Sequence, residues 1–295
     1  IKPIYIEIEN DSMFFASELK GIWALKGKKS EIDSSFIEDY LNAGFVFEPN
    51  TGFKNVFKIL PGHYIQCDCE LKSIQQVQYS VSDLNSKEKF SIKSARDKIS
   101  DSIKSHLISD VPLGLFYSGG IDSSLILALS PKELTALFAK SKAKDIKEAG
   151  FPNDELFGRK IAKILNTNVH YVSIDESAEI EFIEKVKKVV SLNEEPIADF
   201  TSYPTAILSK KARDKGLIAM LSGMGADEIF AGYNRYLLVR YYFISRLLKP
   251  LIFLVKWNKF FSKKLLRYRE FCSSTKLLDG YISLLTPFSK KEREK

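Results

Sequence analysis

Two short loops carry the side chains that are best suited to chemistry. The first, residues 117–124, reads Tyr-Ser-Gly-Gly-Ile-Asp-Ser-Ser, and the second, residues 222–228, reads Ser-Gly-Met-Gly-Ala-Asp-Glu. Each loop follows an apolar, strand-like run, is built mainly of small residues and carries an Asp. Placed side by side at the ends of parallel strands, two such loops would hold a nucleotide triphosphate and its magnesium ion.

The first loop is the more informative of the two. Gly119 and Gly120 remove side chains where the backbone must turn sharply and approach a ligand, and the helix predicted to follow the loop offers its free N–H groups to an anion. Asp122 would repel phosphate unless a hard cation such as Mg²⁺ lay between them. No Gly-Lys-Ser/Thr follows, which excludes a Walker-type loop. The alternative interpretation is a glycine-rich turn capped by serine and aspartate.

Alternating strands and helices dominate the middle of the chain. Such alternation predicts an α/β fold with a doubly wound parallel sheet, whose ligands bind beyond the carboxyl ends of the strands. The predicted strands are 113–117, 133–138, 169–174 and 217–222, and the predicted helices are 94–108, 123–129, 154–165, 178–192 and 203–215. The N-terminal part reads as short strands, including 63–67, around helices at 17–25 and 34–43. Both loops fall at strand ends.

The two loops together resemble one protein family. Ser-Gly-Gly-Ile-Asp-Ser-Ser resembles the PP-loop of the ATP pyrophosphatases, and residues 221–233 are similar to the signature of the asparagine synthetase domain. Glu-Glu-Pro-Ile-Ala-Asp at 194–199 also fits this family, as do Asn-Asp-Glu at 153–155, His170 and Pro204-Thr205. The resemblance implies a sheet of the ATP pyrophosphatase (adenine nucleotide alpha hydrolase-like) type. It also implies that the first loop grips the β,γ-phosphates of ATP.

The resemblance gives particular residues a role. Asp122 and Asp227 would share Mg²⁺ and, with Glu228, form the catalytic set. A helix N-cap pair is the alternative interpretation of Asp227 and Glu228. The residues expected to bind ATP are Tyr117, Ser118, Gly119, Gly120, Asp122, Ser123, Ser124, Lys140, Ser222 and Gly223.

The implied reaction is ATP-dependent amide synthesis. A substrate carboxylate would attack the α-phosphate to give an acyl-adenylate, and glutamine-derived ammonia would then displace AMP. Asparagine synthetases keep an acidic residue where this chain has Met224. The acceptor is therefore open between aspartate and another carboxylate, such as a sugar acid in surface-polysaccharide synthesis. A sulfur-transfer enzyme acting on tRNA and an incomplete nucleotide-binding module are further alternatives, although no cysteine lies between Cys69 and Cys272 to serve the former.

The N-terminal part carries a second resemblance. Residues 2–5, 15–20, 40–45 and 60–64 look like the closing segments of a class II glutamine amidotransferase, an α+β N-terminal-nucleophile domain whose family uses a cysteine at residue one. This chain begins with Ile1, and its three cysteines match no catalytic position of that family. We therefore expect part of a glutaminase domain at 1–80, a linker at 81–93 and the N-terminal part of an ATP-binding domain at 94–295. Together these would be an internal fragment of a two-domain enzyme, with a shortened paralogue as the alternative.

Composition and charge are typical of a soluble globular protein. The chain is 45% hydrophobic and 27% charged, with a net charge of +7. From residue 238 onward, 14 Lys and Arg stand against 4 Asp and Glu. These charges alternate with Leu, Phe and Tyr, which favours a solvated helical face over a nucleic-acid surface. Charges also interrupt the apolar stretch 236–261, so we expect no stable membrane insertion. Three cysteines favour a reducing, cytoplasmic location, and a homodimer is left open.

Overall fold

The computed structural model describes residues 2–9, 12–68, 70, 73–80, 91–140, 154–174, 179–199, 201–247 and 262–286. The chain divides into two compact units. The first comprises residues 1–86, 190–199 and 234–295, and the second comprises residues 87–189 and 200–233.

The elements that the sequence predicts occur in the predicted order, together with further strands and helices that it does not predict. The strands are β1 (Tyr5–Glu9), β2 (Ser12–Ala16), β3 (Val56–Lys58), β4 (His63–Cys67), β5 (Ile74–Gln78), β6 (Leu113–Phe116), β7 (Thr135–Lys140), β8 (Val169–Ser173) and β9 (Ala219–Leu221). The helices are α1 (Leu19–Lys26), α2 (Phe36–Ala43), α3 (Ile92–His106), α4 (Ile121–Leu129), α5 (Asp154–Leu165), α6 (Glu179–Leu192), α7 (Ser202–Asp214), α8 (Ala226–Phe230), α9 (Asn234–Arg240), α10 (Tyr242–Leu247), α11 (Ser262–Ser273) and α12 (Leu277–Leu285).

The first unit is built around an antiparallel sheet. Strand β1 lies between β2 and β3, and Tyr5 of β1 is directly opposite Lys58 of β3. Helix α1 buries Leu19 and Ile22 against Tyr5 and Val56, because these apolar positions share one face of the helix. Strands β4 and β5 form a separate antiparallel pair.

A buried ion cluster joins α1 to β1. The Lys26 ammonium donates to the Glu7 carboxylate and lies 2.7 Å from Glu9, and the Lys26 and Glu7 side chains are only 3% and 5% exposed. Ser30 Oγ donates to the second Glu7 oxygen at 2.7 Å. Burial works against the charge on Lys26, but hydrogen bonds to Glu7 and Glu9 outweigh it and raise the pKa of Lys26. Hydrogen bonds from Lys26 and Lys28 lower the pKa of Glu9 to about 2.

The second unit is a parallel sheet in the order β8-β7-β6-β9. Successive residues of its central strands point to opposite faces, as strand geometry requires. Leu115 and Phe138 pack with Leu127 of α4 on one face, and Leu137 packs with Leu208 of α7 on the other. The predicted α/β fold with a parallel sheet is therefore confirmed.

The predicted elements match the structure closely. The strand at 63–67 and the helix at 154–165 have the predicted bounds, and the other predicted elements differ at their ends by two residues at most. Two elements differ by two residues at both ends: the predicted strand 133–138 is observed as β7, Thr135–Lys140, and the predicted helix 94–108 as α3, Ile92–His106. Most of the predicted linker, residues 81–90, lies outside the described residues, and α3 already begins at Ile92.

The apolar C-terminal stretch is divided among short helices. Within 236–261, α9 and α10 are separated at Tyr241, and residues 248–261 lie outside the described part of the chain. No helix among the described residues is long and apolar enough to span a membrane. Cys67 is exposed and Cys272 is buried, whereas Cys69 also lies outside the described residues.

Candidate active site

The order of the strands places both loops at one position of the sheet. Strand β7 lies on one side of β6, and β9 lies on the other. Because the chain reverses its direction of travel across the sheet there, a crevice is expected beyond the carboxyl ends of β6 and β9. Loop 117–124 follows β6 and loop 222–228 follows β9, so the two loops flank that crevice.

The backbone of the first loop needs glycine. Gly119 has a φ of 81°, and a Cβ atom at this position would come within 2.6 Å of the Asp154 carbonyl oxygen and 3.0 Å of Gly158 Cα. A larger residue would therefore be strained and would also collide with α5. Gly120 is the N-cap of α4, whose first N–H groups have no partner within the helix and face the loop.

Hydroxyl groups hold the first loop in shape. Ser118 Oγ and Ser123 Oγ are 3.0 Å apart, and the Ser118 N–H donates to Ser123 Oγ at 3.2 Å. Tyr117, 2% exposed, donates from its hydroxyl to the Gly158 carbonyl oxygen, and Ser124 Oγ lies 3.4 Å from the Tyr117 hydroxyl. Tyr117, Ser123 and Ser124 are all buried. Their side chains thus build the loop, and the groups open to a ligand are Ser118, the backbone N–H groups and Asp122.

The second loop packs directly on the start of α4. A Cβ atom at Gly223 would lie 2.9 Å from Asp122 Cβ and 3.0 Å from the Ser123 nitrogen. Asp227 in turn lies over Gly232, where a Cβ would fall 1.9 Å from Asp227 Oδ1. Glu228 accepts a hydrogen bond from the Tyr233 hydroxyl at 2.7 Å. The structure therefore brings the predicted Asp122, Asp227, Glu228 and Gly223 together.

The carboxylates of the two loops influence one another. Partial burial is the main cause that raises the pKa of Asp122, and the negative charges of Asp227 and Glu228 raise it further. Such mutual repulsion is relieved when a cation lies between the carboxylates. Oxygen ligands from one or two carboxylates, completed by phosphate and water, are what Mg²⁺ prefers, so Asp122 and Asp227 fit a magnesium ion. Among the described residues, no group of three or more His, Cys, Asp and Glu could hold a metal.

Lys140 stands at the carboxyl end of β7 and is exposed. Its Nζ lies 3.9 Å from Glu155 Oε1, an oxygen that also accepts two hydrogen bonds from Arg159, at 2.8 and 2.9 Å. The Arg159 guanidinium lies 3.8 Å from the centre of the Tyr171 ring. Arg159 was not among the predicted site residues. The i,i+4 spacing of Glu155 and Arg159 predicts their ion pair on the helix, but it carries no signal for a place beside the loops. Ser222, also predicted, is exposed after β9.

Two family models match the chain. The glutamine amidotransferase domain model matches residues 1–80, and the asparagine synthase model matches residues 94–281, which is well over half of the chain. The chain belongs to the asparagine synthase family. The predicted family assignment is therefore confirmed, including the amidotransferase resemblance of the N-terminal part.

Similar proteins carry related names. The chain is 33% identical over 238 residues to asparagine synthetase [glutamine-hydrolyzing] 1 of Bacillus subtilis, and 31% identical over 243 residues to putative asparagine synthetase [glutamine-hydrolyzing] 2 of Methanocaldococcus jannaschii. These matches cover 80% of this chain but 36% and 46% of the relatives. Amidase chry2 of Gibberella zeae is 24% identical over 255 residues, covering 80% of this chain and 37% of that protein. This asparagine synthase family chain thus spans less than half of the length of these relatives.

Proposed function

We propose that this asparagine synthase family protein adenylates a carboxylate with ATP and converts it into an amide. The observation that carries the proposal is the packing of Gly223 against Asp122, which sets the Asp227 loop beside the loop that resembles a PP-loop. Family membership supports ATP-dependent amidation in general terms. The substrate and the residue roles are our proposal.

In this mechanism the protein positions the triphosphate and leaves the carboxylate free to attack. The N–H groups at the start of α4 and Ser118 would bind phosphate oxygens, and Lys140 and Ser222 would contact the remainder of the nucleotide. Asp122 and Asp227 would hold Mg²⁺, which offsets negative charge on the departing pyrophosphate. Because Tyr117, Ser123 and Ser124 are buried, we assign them to shaping this loop, with Tyr117 contributing by its backbone alone.

The bonds of the two steps balance without a further reactant. A carboxylate oxygen forms a bond to the α-phosphorus of ATP as the bond to pyrophosphate breaks. The ammonia nitrogen then attacks the acyl carbon, AMP leaves as the C–O bond breaks, and a proton passes to solvent. The amidotransferase match at residues 1–80 supports glutamine hydrolysis as the source of ammonia. We retain the domain boundaries 1–80, 81–93 and 94–295 within this proposal.

Two exposed apolar side chains, one in each loop, bear on which carboxylate is the acceptor. Met224 is 88% exposed between Gly223 and Gly225, and Ile121, next to Asp122, is 85% exposed. Neither side chain can pair with the charged amino group of aspartate. This favours, as a second candidate function, amidation of a carboxylate other than aspartate.

Nucleotide binding and pyrophosphate exchange test the proposal together. Calorimetric titration with ATP and Mg²⁺ should show binding that Asp122→Ala abolishes and that Asp101→Ala, an exposed control on α3, leaves unchanged. With protein expressed from its complete reading frame, ATP–pyrophosphate exchange should depend on an added carboxylate. Exchange with aspartate alone, among a panel of amino acids and sugar acids, would exclude the second candidate. An absence of ATP binding would refute the proposed function itself.

A further inference from the structure

A pair of carboxylates outside the nucleotide loops anchors an internal segment of the chain. Residues 190–199 belong to the first unit. The chain on both sides of them, residues 87–189 and 200–233, belongs to the second unit. Glu194 and Glu195 lie in this segment, between α6 and α7. Their side chains are only 10% and 16% exposed.

Glu194 caps helix α1 from far away in the sequence. Its two carboxylate oxygens accept hydrogen bonds from the N–H groups of Leu19 at 2.5 Å and Lys20 at 3.1 Å. The residue at the N-cap position, Glu18, makes no side-chain capping bond, and the first turn of α1 has no acidic residue of its own. Lys20 Nζ also donates to the Ser191 carbonyl oxygen at 2.7 Å. Glu194 therefore supplies the carboxylate that the helix terminus favours.

Glu195 binds two neighbouring strands at once. The Tyr5 hydroxyl donates to Glu195 Oε1 at 2.5 Å, and Lys58 Nζ donates to Oε2 at 3.1 Å. Tyr5 and Lys58 are opposite each other in the register of β1 and β3, and both are buried. Burial, followed by the hydrogen bond to Glu195, raises the pKa of Tyr5, so its hydroxyl remains a neutral donor.

Backbone contacts extend this anchorage beyond the two carboxylates. The Ala198 N–H donates to the Gly44 carbonyl oxygen at 2.8 Å, and Pro196 lies beside Gly52, where a Cβ atom would be in ordinary contact at 3.5 Å. Every partner of the segment named so far lies within residues 1–80, the range of the glutamine amidotransferase match. The carboxylates themselves lie within the asparagine synthase match.

We propose that Glu194 and Glu195 are positioning residues that couple glutamine-dependent ammonia supply to amide synthesis. This inference rests on the proposed function. The chain connects the anchored segment directly to α7, which packs Leu208 and Ala212 on Leu137 of the sheet that carries the nucleotide loops. A segment held by charge-assisted hydrogen bonds to the amidotransferase part is thus covalently joined to the synthase part.

The test compares three activities of protein expressed from its complete reading frame: carboxylate-dependent ATP–pyrophosphate exchange, amide formation from ammonium chloride, and amide formation from glutamine. Glu195→Gln should lower the glutamine-dependent reaction by about tenfold, the effect of losing one hydrogen bond to a charged group. Pyrophosphate exchange and the ammonium-dependent reaction should stay within about twofold of the wild type. A twofold change in rate corresponds to less than half of the free energy of a tenfold change. Glutamine hydrolysis should continue, so more glutamate than amide accumulates.

Two further variants keep the proposal falsifiable. Tyr5→Phe removes the hydroxyl that donates to Glu195 and should uncouple the reactions in the same way. The variant that carries both Tyr5→Phe and Glu195→Gln should show a less than additive effect. Glu31→Gln alters an exposed ion pair with Lys54 and should change nothing. Loss of all three activities together in a folded Tyr5→Phe protein, or an unchanged glutamine reaction, would overturn the coupling role. A wild-type protein without pyrophosphate exchange would instead refute the proposed function, and the coupling role with it.

Discussion

Gly223 lies so close to Asp122 that the structure leaves no room for a side chain between them: a methyl group at Gly223 would come within 2.9 Å of Asp122 Cβ. The second loop therefore rests on the residue that we assign to magnesium. The distance between the two loops, and with it the separation of Asp122 from Asp227, depends on this contact between Gly223 and Asp122.

Gly223→Ala should weaken binding of ATP with Mg²⁺. The added methyl group would also approach the Ser123 backbone nitrogen to 3.0 Å, so the two loops must move apart. We expect an affinity loss of at least about tenfold, since a 1.4 kcal/mol change suffices for that factor. Isothermal titration gives the measurement. Gly216→Ala is the control, because Gly216 also lies in the second unit and has open space around it. It should lower stability through its φ of 77° without changing ATP affinity.

Asp122→Asn should separate folding from function. Replacing the carboxylate removes its repulsion with Asp227 and Glu228, so the protein without ligand should melt at the same or a slightly higher temperature. Addition of ATP and Mg²⁺ should raise the melting temperature of the wild type but not of the variant, because only the wild type binds them. Asp101→Asn should behave as the wild type. A variant that ATP and Mg²⁺ still stabilise would contradict the assignment of Asp122.

The pH dependence of nucleotide binding follows from the same carboxyl group. The pKa of Asp122 is raised above its ordinary value of 3.8, so the group takes up a proton at a higher pH than an isolated aspartate. Without ligand, its protonation favours the folded state, and this contribution is lost as the pH rises through the raised pKa. Binding of ATP with Mg²⁺ needs the ionised form and should weaken as the pH falls through the same range. Titrations at several pH values should show this trend in the wild type.

The buried ion cluster of the first unit should be costly to break. Lys26→Met leaves the Glu7 carboxylate buried without its main partner, which typically costs about 3–5 kcal/mol of unfolding free energy. Lys54→Met removes an exposed ion pair with Glu31 and should cost less than about 1 kcal/mol. Denaturant unfolding measures both. Similar losses in the two variants would show that the cluster around Lys26 is not a special source of stability.

The sequence is sufficient to predict the parallel sheet and to place the two loops at neighbouring strand ends. The apolar pattern and the glycines between the strand and the helix locate β6 and α4. The resemblance of both loops identifies the family. All of these signals lie in short stretches of the sequence. The pairing of Asp122 with Asp227 also follows, since the ends of parallel strands share one edge.

Other features depend on contacts between distant residues, which local patterns do not contain. The sequence suggests Ser123 and Ser124 as phosphate donors, but both are buried in the structure. Ser124 lies beside the Tyr117 hydroxyl, which donates to Gly158 of α5, and this packing is not contained in the local sequence. The capping of α1 by Glu194 spans 175 positions and has no local sequence signal.

Carboxylate-dependent ATP–pyrophosphate exchange tests the central claim most directly. Protein expressed from its complete reading frame should incorporate labelled pyrophosphate into ATP only when a suitable carboxylate is present. Asp122→Ala and Asp227→Ala should both abolish this exchange, and Asp101→Ala should not. Exchange that persists in Asp122→Ala, or its absence with every carboxylate while ATP still binds, would contradict the account.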